Sequence, residues 1–299
     1  MSDSLLTIRD YLRYGVSSFR AAGLSHGHGA SNALDEAAFI ILESLHLPVD
    51  DINPWLDARL TGDERKRLES LISERVKTRK PAAYLLGKTY LQGHPFRVDE
   101  RVIVPRSYLA ELLFGEALIG SDTSLIPDET RVRRILDLCT GSGCLAILAA
   151  LRFPEATIDA TDISPDALEV ARANIADYGL EHRLTLHEGD LFDPLPGGSY
   201  DLILANPPYV AEEEAAAFPP EYAQEPRLAH VGGEDGMDIV RRILEEAPAF
   251  LTPSGGLLCE VGTARAILEA ERPDLDFLWL DTDESEGEAF WLSAADFSA

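Results

Sequence analysis

The stretch Ile135-Leu136-Asp137-Leu138-Cys139-Thr140-Gly141-Ser142-Gly143-Cys144 decides how this chain is read. Ile135–Leu138 is a short apolar strand. A glycine turn follows it, and a helix begins at Cys144 that has to stop near Pro154. Glycine lets a backbone pass close to a ligand where any Cβ would clash. The unpaired N–H groups that open the following helix then face that ligand. The next strand, Thr157–Thr161, runs into Asp162, 19 positions after Gly143. A carboxylate there can accept both hydroxyl hydrogens of a ribose. The pattern describes a site for a nucleoside-bearing cofactor.

The loop alone leaves the cofactor open. Gly141-x-Gly143-x-x-Ala146 also satisfies the dinucleotide fingerprint, which tolerates alanine at its third position. Asp137 discriminates between the two readings. A carboxylate at the head of the loop repels a pyrophosphate and suits the ammonium of S-adenosylmethionine. The plainer alternative makes Asp137 an ordinary strand-end residue.

Working outward, strand and helix patterns alternate from Arg134 to the end. Ser164-Pro165 supplies a cap and a proline at the first helical position, and Gly179 closes that helix. Leu184–Leu186, Leu202–Ala205 and Leu257–Val261 read as further strands, with a helix at about Met237–Phe250. Strand-like Phe277–Leu280 and Ala289–Leu292 close the chain, with Trp279 and Trp291 as core residues. Such alternation predicts an α/β, doubly wound, parallel sheet. Its ligands sit beyond the carboxyl ends of the strands.

The first 80 residues are different. Apolar residues recur at helical spacing in Leu5–Leu24, Leu34–Leu47 and Leu68–Val76, with Thr61 or Asp63 capping the third helix. His26 and His28 fall in a Gly/Ser loop, so residues 1–80 make a small helical domain without visible chemistry. Between Pro81 and Pro105, Tyr84–Tyr90 and Phe96–Val104 flank Gly93-His94-Pro95 and read as a β-hairpin linker. Residues 106–299 form the α/β domain, with a polar loop at Ser121–Thr130.

Charge narrows the partners. The 299 residues carry a net charge of −26. Residues 1–100 hold 13 basic and 14 acidic groups, whereas residues 101–299 hold 13 and 38, and no lysine follows Lys88. Nucleic-acid affinity comes largely from neutralising phosphates, so the acidic part makes a poor duplex binder. A basic protein or a cationic small molecule suits it better, although acidity can also serve solubility alone. Three cysteines without Cys-x-x-Cys exclude a disulfide scaffold or a Cys-rich zinc site. No apolar run spans a membrane, and Met1-Ser2-Asp3-Ser4 opens no secretory signal, so a cytoplasmic location is expected.

Asn206-Pro207-Pro208-Tyr209 follows the strand Leu202–Ala205 and carries the chemistry. Two prolines remove two backbone donors, which keeps the carbonyls out of any ladder. The Asn206 side-chain oxygen and the Pro207 carbonyl then form a rigid pair of acceptors beside the Tyr209 ring. Acceptors with an aromatic wall suit a planar NH2 group. Asn-Pro also initiates turns, but at a strand end of a doubly wound sheet the site reading prevails. Ser142 has no Gly-x-Ser-x-Gly context and is no nucleophile elbow, and Glu212-Glu213-Glu214 reads as a solvated loop or a docking lip for a basic substrate.

In this order the glycine loop, Asp162 and Asn-Pro-Pro-Tyr resemble a class I S-adenosylmethionine-dependent methyltransferase acting on a planar nitrogen. Glutamine-amide and adenine-N6 enzymes share the tetrapeptide, and the acidic half disfavours the second. The helical N-terminus, Val104-Pro105-Arg106 and Gly232-Gly233-Glu234-Asp235-Gly236 are similar to the protein-(glutamine-N5) methyltransferase family. Cys139-Thr140-Gly141, Pro105-Arg106-Ser107, Pro81-Ala82-Ala83-Tyr84-Leu85 and Gly93-His94 resemble the branch acting on large-subunit ribosomal protein three, rather than the release-factor branch. Tyr108 departs from the proline expected there.

The resemblance implies a set of roles. Cys139, Thr140, Gly141, Ser142 and Gly143 wrap the methionyl part of the cofactor, with Asp137 at the loop's head. Asp162 holds the ribose, Ile163 packs on the adenine, and Asp190 and Leu191 meet its edge. Asn206 contacts cofactor and substrate, and Asn206, Pro207, Pro208 and Tyr209 hold the glutamine. The chemistry calls for no metal. A nicotinamide oxidoreductase and a non-catalytic binding module are the distant alternatives.

Overall fold

The computed structural model describes residues 4–119, 124–283 and 285–298. Residues Met1–Asp3 of the expected signal-free start and 121–123 of the expected polar loop lie outside them.

Helices α1 (Ile8–Ala21), α2 (Ala33–Ser44) and α3 (Gly62–Thr78) bury Tyr11, Phe19, Ile40, Leu68 and Ile72 in one cluster. Thr7 with Asp10 and Thr61 with Glu64 form capping boxes, and Asn32 caps α2. Helix α3 begins six residues before the apolar pattern at Leu68. The Thr61 box starts it, and its first turns are solvated, so hydrophobic periodicity does not register them. Arg75 is fully buried, donating to Glu36 at 2.8 Å.

The linker differs from expectation. Pro81 opens a short helix α4 (Ala82–Leu86), and Gly87 at φ +67° ends it. The hairpin is then only β1 (Lys88–Leu91) paired with β2 (His94–Arg97). Gln92 and Gly93 have φ of +49° and +74°, the backbone that a two-residue hairpin turn requires. Residues 98–104 form no strand. Val98, Val102 and Val104 instead pack with Tyr84, Ala167 and Val170. The Tyr84 hydroxyl donates to the Val102 carbonyl at 2.5 Å, so a buried tertiary anchor overrides β propensity here.

After α5 (Tyr108–Phe114) the sheet begins with β3 (Arg134–Leu138), α6 (Cys144–Arg152), β4 (Thr157–Asp162), α7 (Pro165–Asp177) and β5 (Leu184–Glu188). It continues through β6 (Tyr200–Ala205), α8 (Glu212–Ala216), α9 (Asp238–Glu246) and β7 (Leu251–Glu260). It closes with α10 (Arg265–Glu271), β8 (Leu278–Leu280) and β9 (Ala289–Ser293). The strand order is β5-β4-β3-β6-β7-β9-β8. Strands β3 to β7 are parallel as expected, but β9 is antiparallel to both β7 and β8, so the sheet is mixed. The short link between β8 and β9 cannot carry the dozen or more residues of a parallel crossover.

Both faces of the sheet are covered. Ile135, Ile158, Leu202 and Leu204 face one core with α6, while Leu136, Leu138, Ile203 and Ala205 face the other with α9. The chain runs outward from β3 to β4 and β5, then returns to lay β6 on the other side of β3. That reversal opens a crevice beyond the carboxyl ends of β3 and β6.

Candidate active site

The glycine loop leaves β3 into this crevice. Cys139, Gly141 and Gly143 have φ of +57°, +56° and +78°. A Cβ on Gly143 would sit 3.2 Å from that of Ala171, so the loop lies flush on α7. Asp162 ties the loop to the end of β4. Its two oxygens accept from the Gly141 N–H at 2.8 Å and the Ser164 N–H at 2.9 Å. Burial raises the Asp162 pKa above the usual carboxylate value, although these N–H groups oppose the rise. Non-glycine residues at positive φ cost about 1–3 kcal/mol each. Two of them, Cys139 and Leu191 (φ +44°), line the same cavity.

Asp137 is not on a cavity wall. It is fully buried beneath the loop, accepting from the Thr140 hydroxyl at 2.5 Å and the Ala146 N–H at 3.1 Å. Its second oxygen has no partner among the described residues, and burial pushes its pKa up to about 7.

Asn206–Tyr209 leaves β6 beside the loop. The Asn206 side chain and the Pro207 carbonyl take part in no hydrogen bond among the described residues, which leaves both acceptors available. The glycines of Gly232–Gly236 now acquire a reason. A Cβ on Gly232 would meet the Pro208 carbonyl oxygen at 2.3 Å, and one on Gly236 the Tyr209 carbonyl oxygen at 2.2 Å. The tetrapeptide backbone packs directly on this second glycine segment.

Two cavities, of about 920 and 1030 Å³ including the space open to solvent, meet at Ile103, Cys139, Gly141, Asn206 and Ala229. The first is walled by Asp162, Ile163, Asp190, Leu191 and Pro208. Leu228, absent from the sequence reading, stands in the same wall. Ile163 and Leu228 are 53% and 57% exposed, an unusual state for apolar side chains inside a pocket. Asp190 is held there by Arg242 Nη1 at 2.9 and 3.1 Å. The second cavity is walled by Pro207, Tyr209, Arg106, Tyr222 and His230. Thr140 and Ser142, expected on the cofactor side, face this second cavity, and Gly143 lines neither. Glu212–Glu214 belongs to helix α8 rather than to a loop, with Glu214 at the second cavity.

The segment 218–230 forms part of both cavities and is pinned by two buried glutamates that sequence reasoning missed. Glu221 accepts from the Ser25 N–H at 3.0 Å and pairs with Arg79 at 2.8 Å, tying the segment to the helical region. Glu225 accepts from the Val104 N–H at 2.9 Å and from both terminal nitrogens of Arg106 at 2.8 and 2.7 Å. His230 Nε2 lies 2.9 Å from Glu225 and His28 Nε2 lies 3.5 Å away. Burial alone raises the Glu225 pKa, but the Arg106 hydrogen bonds and charge outweigh it and hold this carboxyl far below its usual range. The sequence signal was faint: acidic residues inside a proline- and aromatic-rich stretch. Among the described residues no group of three or more His, Cys, Asp or Glu side chains could hold a metal, and no helix is long and apolar enough to cross a membrane.

A doubly wound sheet with a glycine loop after β3, a carboxylate at the end of β4 and Asn-Pro-Pro-Tyr after β6 defines a class I methyltransferase. Comparison with known proteins agrees. The family model described as methyltransferase small domain matches residues 120–218. The ribosomal protein uL3 glutamine methyltransferase of Bradyrhizobium diazoefficiens is 57% identical over 98% of this chain and 92% of its own length. That of Bordetella pertussis is 53% identical over 97% and 95%. A crystal structure of a methyltransferase from Pyrococcus furiosus shares the fold, with a TM-score of 0.50 at 16% identity over 78% of this chain and 99% of that one. The chain belongs to the ribosomal protein uL3 glutamine methyltransferase family. Membership closes the nicotinamide reading of the glycine loop and sets aside the non-catalytic binding module.

Proposed function

We propose that this protein transfers a methyl group from S-adenosylmethionine to the side-chain amide nitrogen, N5, of a glutamine in ribosomal protein uL3. One observation carries the reading: Asn206, with its side chain uncommitted, stands where two cavities meet. The residues of the first cavity fit the cofactor. Asp162 offers a carboxylate for the ribose hydroxyls. The exposed Ile163 and Leu228, with Leu191, offer apolar surfaces for the purine. Cys139 and Gly141, the loop residues that line this cavity, lie against the methionyl end, with Asp137 acting from beneath the loop. Bound there, S-adenosylmethionine supplies a methyl group activated on a sulfonium.

The chain's own residues prepare the acceptor. An amide nitrogen is a weak nucleophile because its lone pair is delocalised into the carbonyl. The Asn206 oxygen and the Pro207 carbonyl accept its two N–H groups and fix their direction, and the Tyr209 ring walls the amide plane. Holding the nitrogen in a near-attack position converts binding into rate. Fixed acceptors also stabilise positive charge as it develops on nitrogen. The product proton leaves to water.

Residues 1–80 serve substrate recognition, 81–105 link, and 106–299 catalyse. The acidic catalytic part suits a basic ribosomal protein, and the reaction belongs in the cytoplasm with that substrate. The test offers unmethylated uL3 and unmethylated release factor in parallel with labelled S-adenosylmethionine, then maps the label by peptide mass spectrometry. Label on a uL3 glutamine is expected. Label on the release factor alone, or none on either, overturns the substrate assignment.

A further inference from the structure

We infer that Glu260 is a positioning residue for methyl transfer, clamping two walls of the substrate cavity into one geometry. The inference rests on the proposed reading of that cavity. Glu260 is the last residue of β7 and is fully buried. One oxygen accepts from the Tyr209 hydroxyl at 2.8 Å. The other accepts from the Ser107 hydroxyl at 2.7 Å and the Tyr108 N–H at 3.0 Å. Tyr209 and Ser107 both line the second cavity, yet they come from segments about 100 residues apart in the chain. Glu260 joins the segment before α5 to the segment after β6.

The partners explain the residue type. These partners donate to a carboxylate that accepts at both ends; the Tyr108 N–H can only donate, whereas a hydroxyl also accepts, so only a side chain without polar atoms removes the Tyr209 bond outright. Glu260 makes no ion pair among the described residues, and the groups that act on it are hydroxyls and N–H groups, so its role is not to neutralise a cation. Burial raises its pKa, opposed by the Ser107 and Tyr209 hydroxyls and the Tyr108 and Leu109 N–H groups. A purely packing role would be filled more cheaply by an apolar side chain.

The Tyr209 ring needs such a tether. On one side it lies flush on Gly262, where a Cβ would fall 2.8 Å from the ring. The residue also lines the open cavity of about 1030 Å³, which leaves the ring room to move. Backbone contact limits the ring in one direction, and the hydroxyl bond to Glu260 stops it from swinging the other way. An untethered ring would occupy several positions, and the amide it walls would lose its fixed direction.

Glu260→Met, which keeps the length of the side chain without a donor or acceptor that could hold Tyr209, Tyr209→Phe and the double variant test this. Tyr209→Phe removes a single oxygen and leaves Glu260 with its other donors, so it stays informative if Glu260→Met folds poorly. Each single variant should lower kcat about tenfold, with KM for uL3 and the cofactor Kd within about threefold of the parent. Because both remove the same bond, the double variant should be no slower than the slower single. Tyrosine ring NMR of the cofactor-free protein should show the Tyr209 ring fixed in the parent and averaged in Glu260→Met. Turnover within about twofold of the parent in either single variant, multiplying losses in the double, or an unchanged Tyr209 ring signal overturns the inference. The NMR arm reads the clamp even if the parent enzyme does not methylate uL3, so failure of the clamp and failure of the substrate assignment stay distinct.

Discussion

Replacing Glu225 with glutamine keeps its shape and removes its charge. In the native protein Glu225 receives two hydrogen bonds from Arg106 and one from the Val104 N–H, with His230 2.9 Å away. An amide can accept at one end only, so its NH2 must face Arg106 or a neighbouring donor, and the Arg106 charge loses its counterion. Removing one partner of a buried pair costs about 3–5 kcal/mol. The Arg106 side chain retains 27% exposure, which places the expected loss near the lower bound, about 3 kcal/mol. The pH dependence has a definite sign. Glu225 has a folded-state pKa far below its ordinary 4.5, so its stabilisation is complete above that value and is lost as pH falls below it. Urea denaturation at pH 7 should therefore separate Glu225→Gln from the parent by about 3 kcal/mol, and the gap should narrow steadily below about pH 4.5. Adding Arg106→Met to Glu225→Gln removes the stranded cation and should recover part of the loss. A single variant within about 1 kcal/mol of the parent at pH 7, or a gap that persists unchanged to pH 3, would refute the argument.

Asn206→Ala should lower kcat by about 100-fold or more, the usual cost of losing a fixed transition-state partner, while calorimetry finds cofactor affinity nearly unchanged; unaltered turnover would remove Asn206 from the chemistry. Asp162→Ala should weaken cofactor binding at least about tenfold, since it removes the ribose acceptor and releases the Gly141 and Ser164 N–H groups; equal Kd values by calorimetry would dismiss the ribose role. Asp137, with its pKa raised from 3.8 to about 7, favours the folded state most when protonated, so it makes stability fall as pH rises between those values, by up to about 4 kcal/mol. Asp137→Asn should flatten that slope between about pH 4 and pH 7, and parallel pH profiles of stability for the two proteins would show that Asp137 carries no such burden.

Much of the site lies in short segments whose local chemistry is self-contained. A Gly141-Ser142-Gly143 turn needs left-handed backbone, and two prolines after Asn206 forbid a ladder, whatever the remainder of the chain does. Alternating strand and helix periods likewise fix the doubly wound sheet and the crevice beside β3. The terminal strands were legible as strands but not in direction, because apolar alternation is the same whichever way a strand runs. The linker departs from its local signal for a related reason. Tyr84 has β propensity, yet its hydroxyl reaches the Val102 carbonyl and its ring packs in a small core, and neither contact is local.

The partners of the site belong wholly to tertiary structure. Glu225 reaches Arg106 across 119 positions and Glu260 reaches Ser107 across 153. No spacing rule links such residues, since their encounter depends on how β7, the 218–230 segment and the hairpin exit pack together. Asp137 shows the same division within a single motif. Its position at the head of the loop is written in the chain, but packing beneath α6 turned it away from the cavity and under the loop. Local covalent and steric constraints therefore set the loop, the tetrapeptide and the alternation of strand and helix along the chain. Long-range burial, which pairs charges wherever they lose water, decided which glutamates hold the site in shape.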